Sequence, residues 1–239
     1  MTIHRIHMGP FTNAFVIKAE SGCVLVDAGF PRQEKSFRKQ LKRISLEPRD
    51  ITLIVATHGH ADHVGSLRAL KGETGAAVVI HRADSHLLQK GILTIPPAVT
   101  VWGRFLALVF RVFLSLGRFE PVKPDIIIEQ EVPLQEFGVS GKILPTPGHS
   151  PGSVSVVLDS GEAFVGDLAV NAFPLGMGLG VPSLAENVQQ IYRSWDILLS
   201  AGATMVYPGH GKPFPADCLT HPSRRRHQWG HDPTVSRRV

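Results

Sequence analysis

The chain has 239 residues, 43% of them hydrophobic and 19% charged, and a formal net charge of +5. This composition is ordinary for a globular protein, and a chain of this length can bury a sizeable core. Cys23 and Cys218 are far apart and lack zinc-motif spacing, which argues against a disulfide framework or a cysteine-based metal site. No charged-then-apolar leader precedes the strand-like first residues, so we expect a cytoplasmic protein.

Short strands and helices alternate in the first half of the chain. The apolar spacing predicts, in order, a hairpin of residues 11–19 and 23–27, a helix over 33–44, a strand over 51–56, a short helix over 64–71, a strand over 76–80 and a helical turn near 86–88. The helix over 33–44 is amphipathic, because Phe37, Leu41 and Ile44 recur at helical spacing.

Residues 92–119 form an apolar insertion flanked by prolines. Arg104, Arg111 and Arg118 interrupt it at spacings of seven, so most of the remaining helical surface is apolar. These charges make the segment a poor candidate for a membrane span. Four interpretations stay open: a lid or wall over an apolar substrate, which we favour, a homodimer contact, a helix packed on its own core, and a membrane-surface helix.

Strands dominate the second half of the chain. They are predicted over 126–132, 142–144, 154–158, 163–165 and 204–207. Residues 183–186 match a capping box, which predicts a helix beginning there. Its apolar face would consist of Leu184, Val188, Ile191, Trp195 and Leu198.

The C-terminal residues 219–239 form a basic tail. We interpret it as a solvated terminus, because no aromatic stacking platform accompanies its arginines, and we expect no nucleic-acid partner. The alternative is a contact with nucleic acid or anionic lipid. We therefore predict one domain over residues 1–218, with the insertion at about 91–121, followed by the tail.

The stretch Thr57-His58-Gly59-His60-Ala61-Asp62-His63 is the strongest functional signal. Its three imidazoles and one carboxylate fall within six residues, just after a predicted buried strand. His149, Asp167 and His210 also follow predicted strands, in turns marked by glycine or proline. Zinc and similar divalent ions favour imidazole and carboxylate ligands. Five histidines and two aspartates are too many for one tetrahedral ion, and they suit two adjacent ions.

This ordered pattern resembles that of the metallo-β-lactamase superfamily of metal-dependent hydrolases, over about residues 27–213. The resemblance implies an α/β (α+β) fold, the four-layered αβ/βα sandwich, with the site along one edge. It implies that His58, His60 and His149 hold one metal, that Asp62, His63 and His210 hold the other, and that Asp167 is shared. It also implies that an acid at the position of Asp27 supports the metal loop.

The implied chemistry is hydrolysis by a dinuclear centre. Two divalent ions, first of all Zn²⁺ with iron or manganese as alternatives, would lower the pKa of water to roughly 7. Asp62 would be a catalytic residue by orienting the attacking water. We expect an ester, lactone, thioester or amide carbonyl as the substrate group. The alternatives are phosphoester or phosphotriester hydrolysis, persulfide dioxygenation by a single iron, and a non-enzymatic interaction protein.

Apolar residues beside the predicted centre indicate a small-molecule substrate with an apolar group. The loop of residues 173–181 is apolar and glycine-rich, which is typical of a flexible wall. Phe110, Phe113, Phe173 and Met177 are the candidate substrate contacts. His81 follows a predicted strand and precedes a helical turn, and we interpret it as a capping or partly buried residue rather than a ligand.

Overall fold

The computed structural model describes residues 1–19, 22–114, 119–172 and 179–219. The first sheet contains β1 (Thr2–His7), β2 (Asn13–Lys18), β3 (Cys23–Val26), β4 (Ile51–Val55), β5 (Ala77–His81) and β6 (Ile126–Ile128), which lie in chain order. The pairs β1–β2 and β2–β3 are antiparallel, whereas β3 to β6 run parallel. The carboxyl ends of these parallel strands therefore meet at one edge.

Five helices follow strands of the first sheet. They are α1 (Glu34–Arg43), α2 (Ala61–Val64), α3 (Leu67–Thr74), α4 (Arg82–Lys90) and α5 (Val101–Leu114). Apolar side chains of α1, α3 and α4 pack with one face of the sheet, where Phe37, Leu67 and Leu88 join Val16, Leu25 and Ile54 in one buried cluster. Amphipathic helices bury their apolar stripe in this way.

The second sheet has the order β14-β13-β10-β9-β8-β7. Its strands are β7 (Val132–Pro133), β8 (Gly141–Pro145), β9 (Val154–Leu158), β10 (Glu162–Gly166), β13 (Met205–Pro208) and β14 (Phe214–Pro215). A two-stranded sheet joins β11 (Val170–Asn171) to β12 (Leu179–Gly180), and α6 (Val188–Ser200) precedes β13. Ile191, Trp195 and Leu198 of α6 are buried against β10 and β13.

The main core lies between the two sheets. Phe15, Val24 and Leu53 of the first sheet share a buried cluster with Ile143 and Val156 of the second. Adjacent residues of β2 point to opposite faces, so Phe15 joins this core while Val16 faces the helices. The layers are helices, sheet, sheet and helix, which confirms the predicted four-layered sandwich.

Three predicted elements differ from the structure. The strand predicted over 126–132 is two strands, β6 and β7, in different sheets, because the exposed residues 129–131 carry the chain from one sheet to the other. The helix predicted over 64–71 is interrupted after Val64 and resumes at Leu67. The helical turn near 86–88 is part of the longer α4.

The capping box predicted at residues 183–186 is wrong. Helix α6 begins at Val188, and the side chain of Asn187 accepts a hydrogen bond from the backbone N–H of Gln190. Ser183 and Leu184 instead contact the insertion, since the carbonyl oxygen of Ser183 accepts a hydrogen bond from Val99 N–H and Leu184 forms an isolated bridge with Ala98. A tertiary contact thus overrides the local capping pattern. Within the described residues, no helix has the length and apolar character needed to cross a membrane.

Candidate metal centre

The predicted ligand residues lie in loops at the carboxyl ends of strands. The loop after β4 carries His58 and His60 and leads into α2, which contains Asp62 and His63. His149 follows β8, Asp167 follows β10 directly, and His210 follows β13. All seven side chains meet at one edge of the sandwich and form two groups. Within each group, the potential ligand atoms lie within 4.8 Å of one another.

The first group consists of His58, His60 and His149, and all three are buried. Nδ1 of His60 lies 2.9 Å from Nε2 of His149. The ring of His58 stands nearly perpendicular to the rings of His60 and His149, at interplanar angles of 85° and 83°. Three imidazoles converging on one point without an intervening acid are the donor set of a divalent metal site.

The second group consists of Asp62, His63, Asp167 and His210. Oδ2 of Asp62 lies 3.2 Å from Nε2 of His210 and 3.7 Å from Nε2 of His63. Oδ1 of Asp167 lies 3.2 Å from Nε2 of His63 and 3.3 Å from Nε2 of His210. Two imidazoles and two carboxylates therefore face a common centre.

Asp167 also faces the first group. Its Oδ2 lies 3.7 Å from Nε2 of His149, while its Oδ1 faces His63 and His210. One carboxylate is thus placed between the two donor groups, with one oxygen toward each. This arrangement fits a shared ligand better than a ligand of either group alone.

Hydrogen bonds at Nδ1 fix three of the rings. Nδ1 of His149 lies 3.0 Å from the carbonyl oxygen of Leu184, and Nδ1 of His210 lies 2.8 Å from that of Phe11. Nδ1 of His63 lies 2.8 Å from Oδ2 of Asp27. Because a carbonyl or carboxylate only accepts, each Nδ1 must donate, which leaves Nε2 as the ring nitrogen that faces the centre.

Asp27 supports both donor groups. Besides His63, its carboxylate accepts hydrogen bonds from the backbone N–H of Thr57 at 2.8 Å and from the Thr57 hydroxyl at 2.9 Å. The oxygen of that hydroxyl lies 3.0 Å from Nδ1 of His58. Asp27 itself has a left-handed backbone, with φ of 64°, which aspartate tolerates better than most residues.

The contacts that run from Asp27 through Thr57 to His58 hold Nδ1 of this imidazole but leave its Nε2 without a partner among the described residues. Nε2 of His58 is buried and accepts no hydrogen bond in the described part of the chain. A buried polar atom of this kind is costly unless something else binds it. A metal ion at the first group would satisfy this atom, so the residues present fit the metal that the donor set implies.

The protonation of the imidazoles differs between the groups. Burial, with the neighbouring imidazoles, lowers the pKa of His58 well below its usual value and that of His60 to about 3. Although burial opposes it, Asp167 and the other carboxylates raise the pKa of His63 well above its usual value and that of His210 to about 10. The first group is therefore neutral at pH 7, whereas a cation entering the second group would displace protons.

Asp84 of α4 is a supporting residue that the sequence analysis missed. Its carboxylate accepts hydrogen bonds from Gly59 N–H at 2.9 Å, Ser150 Oγ at 2.7 Å and Gly152 N–H at 2.9 Å. These bonds tie the loop of His58 and His60 to the loop of His149. The signal in the sequence was an acid on the buried face of α4, one turn before Leu87 and Leu88.

Replacing Asp84 by alanine is expected to lower the free energy of unfolding by at least about 2 kcal/mol. The change leaves two buried backbone N–H groups and a buried hydroxyl without their acceptor, at about 1–3 kcal/mol each. Denaturant unfolding measures the loss. Asp159→Ala, in an exposed turn, is the matched control and should change stability by less than about 0.5 kcal/mol. Equal stability of the two variants would contradict the tie between the loops.

A cavity of about 660 Å³ opens beside both donor groups. Its described lining is mainly apolar and comes from loops and helices of both halves of the chain. The lining residues are Pro10, Phe11, Phe30, Pro31, Ala61, Leu93, Ile95, Pro96, Phe110, Pro182 and Leu184, with Thr94 and the ligand-type residues His60, Asp62, His149 and Asp167. No lysine or arginine occurs among these described lining residues. The cavity thus offers an apolar wall next to a cluster of metal-ligand atoms.

The predicted substrate contacts are only partly described. Phe110 of α5 lines the cavity, as the lid interpretation requires. The side-chain surroundings of Phe113 fall outside the described part of the chain, as do Phe173, Met177 and the tail beyond residue 219. His81 caps α4, because its Nδ1 accepts a hydrogen bond from the backbone N–H of Ala83 at 3.2 Å. It is absent from both donor groups.

Comparison with known proteins gives one family and several relatives. The model of the "Metallo-beta-lactamase superfamily" matches residues 8–210. An uncharacterized protein of Bacillus subtilis, YobT, is 28% identical over 90% of this chain and 88% of its own length. The human metallo-beta-lactamase domain-containing protein 1 is 36% identical over 82% of this chain. The match spans 61% of that human protein's length.

Solved structures support the same fold. The BLEG-1 B3 metallo-beta-lactamase is similar with a TM-score of 0.67 and 23% sequence identity, over 99% of this chain and 100% of that one. At this identity, the similarity supports only the arrangement of strands and helices. The two donor groups are inferred from the distances in this structure.

Proposed function

Since the chain belongs to the metallo-β-lactamase superfamily, whose members are mostly metal-dependent hydrolases, we propose that it hydrolyses a carbonyl substrate with an apolar group. The substrate group would be an ester, lactone, thioester or amide. The observation that carries this proposal is the cavity, because its apolar wall adjoins two donor groups that lie side by side. An apolar group can be buried there while the bond to be cleaved lies at the ligand atoms.

Two divalent ions, first of all Zn²⁺, are the proposed cofactors. His58, His60 and His149 would hold one ion, and Asp62, His63 and His210 the other, with Asp167 shared. When bound, such ions supply a nucleophile at neutral pH by lowering the pKa of water, and they polarise a carbonyl oxygen. Asp27 and Asp84 would keep the ligand loops in place through the hydrogen bonds described above.

Asp62 is the proposed catalytic residue. It lines the cavity, and its side chain is 27% exposed, more than that of His63, Asp167 or His210 in the same donor group. Although burial opposes it, His63 and His210 lower the pKa of this carboxyl to about 2, so it is ionised at neutral pH. An ionised carboxylate at the cavity wall can accept a hydrogen bond from the attacking water and orient it.

The test is a series of p-nitrophenyl esters of increasing acyl length, assayed with protein of known metal content. Each methylene that enters the apolar wall can add up to about 0.8 kcal/mol of binding, close to fourfold in kcat/KM, until the cavity is filled. Phe110→Ser should flatten this trend without changing the bound metal. Ile197→Ser, at an exposed position of α6, is the control and should keep the trend.

Several results would contradict the proposal. A wild-type rate that does not depend on acyl length would show that the apolar cavity does not bind the substrate. Activity that survives complete removal of metal would show that the donor groups take no part in the reaction. One iron per chain, with oxygen consumed on a persulfide, would favour dioxygenation, and faster cleavage of phosphotriesters than of esters would favour phosphoester chemistry.

A further inference from the structure

Helix α5 has two apolar faces, and within the described residues only one of them packs against the rest of the protein. On the inner face, Leu106 is buried and Phe110 lines the cavity. Gly103 lets the helix approach closely, since a Cβ there would lie only 2.1 Å from the carbonyl oxygen of Ser183. Residues 103, 106 and 110 recur at helical spacing, so this side of α5 is fixed against the loop that carries Leu184.

The outer face of α5 is exposed and apolar. Val101, Phe105 and Leu108 are 82%, 54% and 63% exposed, and their spacing of four and three places them on one stripe. The ring of Trp102 stacks on Phe105 at a centroid distance of 5.1 Å, which extends this apolar surface. A contiguous exposed stripe of large apolar side chains marks an interaction surface more often than isolated ones do.

The charged residues of this segment all have one sign. The sequence contains no aspartate or glutamate between Lys90 and Glu120, but it contains three arginines. Two of these, Arg104 and Arg111, lie along one flank of the stripe, seven residues apart, and both are exposed. An apolar face with a cationic flank is the pattern of a helix that lies in the interface of an anionic membrane.

A shallow groove at the cationic flank adjoins the cavity. The groove has a volume of about 470 Å³ and is lined by Arg104, Arg111, Leu108 and residues 95–98. Ile95 and Pro96 line both this groove and the catalytic cavity. A phosphate group held between the two arginines would therefore lie directly outside the apolar wall of the candidate metal centre.

We propose that the outer face of α5, formed by Val101, Phe105, Leu108, Arg104 and Arg111, binds the surface of an anionic phospholipid bilayer. The apolar stripe enters the boundary between headgroups and acyl chains, and the arginines contact lipid phosphates. Ile95 and Pro96, which line both the cavity and the groove, then lie close to the membrane region in which apolar substrates dissolve. This binding does not depend on the reaction at the metal centre, so it can be tested without a substrate.

Cosedimentation of the full chain with vesicles tests the surface. Phosphatidylcholine vesicles that contain phosphatidylglycerol should bind the protein, with an affinity that falls as salt is added, and pure phosphatidylcholine should bind it less. Leu108→Glu should weaken binding roughly tenfold or more. Arg104→Gln and Arg111→Gln should each weaken it about fivefold. Ile197→Glu, an exposed isoleucine on α6, is the matched control and should bind as the wild type does.

Three results would overturn the proposal. The first would be a wild-type protein that fails to bind the anionic vesicles. The second would be binding of Leu108→Glu and Arg104→Gln as tight as that of the wild type, which would mean that other basic residues, such as the C-terminal arginines, hold the protein on the vesicle. The third would be a change from dimer to monomer in light scattering on Leu108→Glu, which would assign the stripe to a second copy of the chain. All substituted side chains are exposed, so we expect the variants to unfold at the same temperature as the wild type. Thermal unfolding therefore checks that a loss of vesicle binding is not a loss of folding.

Discussion

Asp167→Ala is expected to lower the proposed hydrolytic activity by more than about a hundredfold and to remove at least one of the two proposed metal ions. Replacing a residue that only orients a metal ligand typically lowers metal affinity or activity by about ten- to a hundredfold, and replacing a shared ligand should lower them further. The carboxylate has one oxygen toward His63 and His210 and the other toward His149. Without this anion, two adjacent dications would repel each other with nothing between them.

Elemental analysis and kcat/KM on the preferred ester measure the effect of Asp167→Ala. Asp167→Asn separates charge from shape, since it keeps a side chain of the same size and one acceptor oxygen. His81→Ala is the control histidine variant, because His81 caps α4 and belongs to neither donor group. It should keep both metals and lose about 1 kcal/mol of stability. Two tightly bound ions in Asp167→Ala would exclude a bridging role.

Asp27→Asn is expected to weaken metal binding or rate by roughly ten- to a hundredfold, although Asp27 belongs to neither donor group. An amide can still accept from Thr57 N–H, but it has only one acceptor oxygen for the three groups that the carboxylate now serves. If the amide nitrogen faces His63, the imidazole must turn its proton toward the centre. That tautomer has no lone pair at Nε2 for a metal.

Competition with a chelator measures the metal affinity of Asp27→Asn. The change should affect both ions, because Asp27 contacts His63 directly and reaches His58 through Thr57. Asp50→Asn is the control, since Asp50 accepts from the backbone N–H of Glu47 in a surface turn. Loss of the second ion alone would mean that Thr57 orients His58 without help from Asp27.

The donor residues could be predicted from the sequence because each follows a strand at short range. His58, His60, Asp62 and His63 are separated by one or two residues, so any fold that ends β4 there brings them near each other. The strands that precede His149, Asp167 and His210 were also predicted from their apolar runs. Local signals thus contained both the ligands and the strand ends that position them.

The groups that orient these ligands were not predictable in the same way. The acceptors for His149 and His210 are backbone carbonyls 35 and 199 positions away in the sequence. Every residue has a carbonyl, so no residue type marks which one is used. The same limit explains the wrong capping box at residues 183–186, where the contact of Leu184 with Ala98 outweighs a local preference.

The order of the donor residues along the chain has a consequence for protein synthesis. His60 and His149 are 89 positions apart, whereas His63 and His210 are 147 positions apart. A growing chain therefore contains all three imidazoles of the first group before β9, β10 and β13 have been made. The second group lacks Asp167 until β10 has been made and lacks His210 until β13 has been made. Chain growth itself thus sets the order in which the two donor sets become complete, and the set proposed for the second ion is complete only after residue 210 has been made.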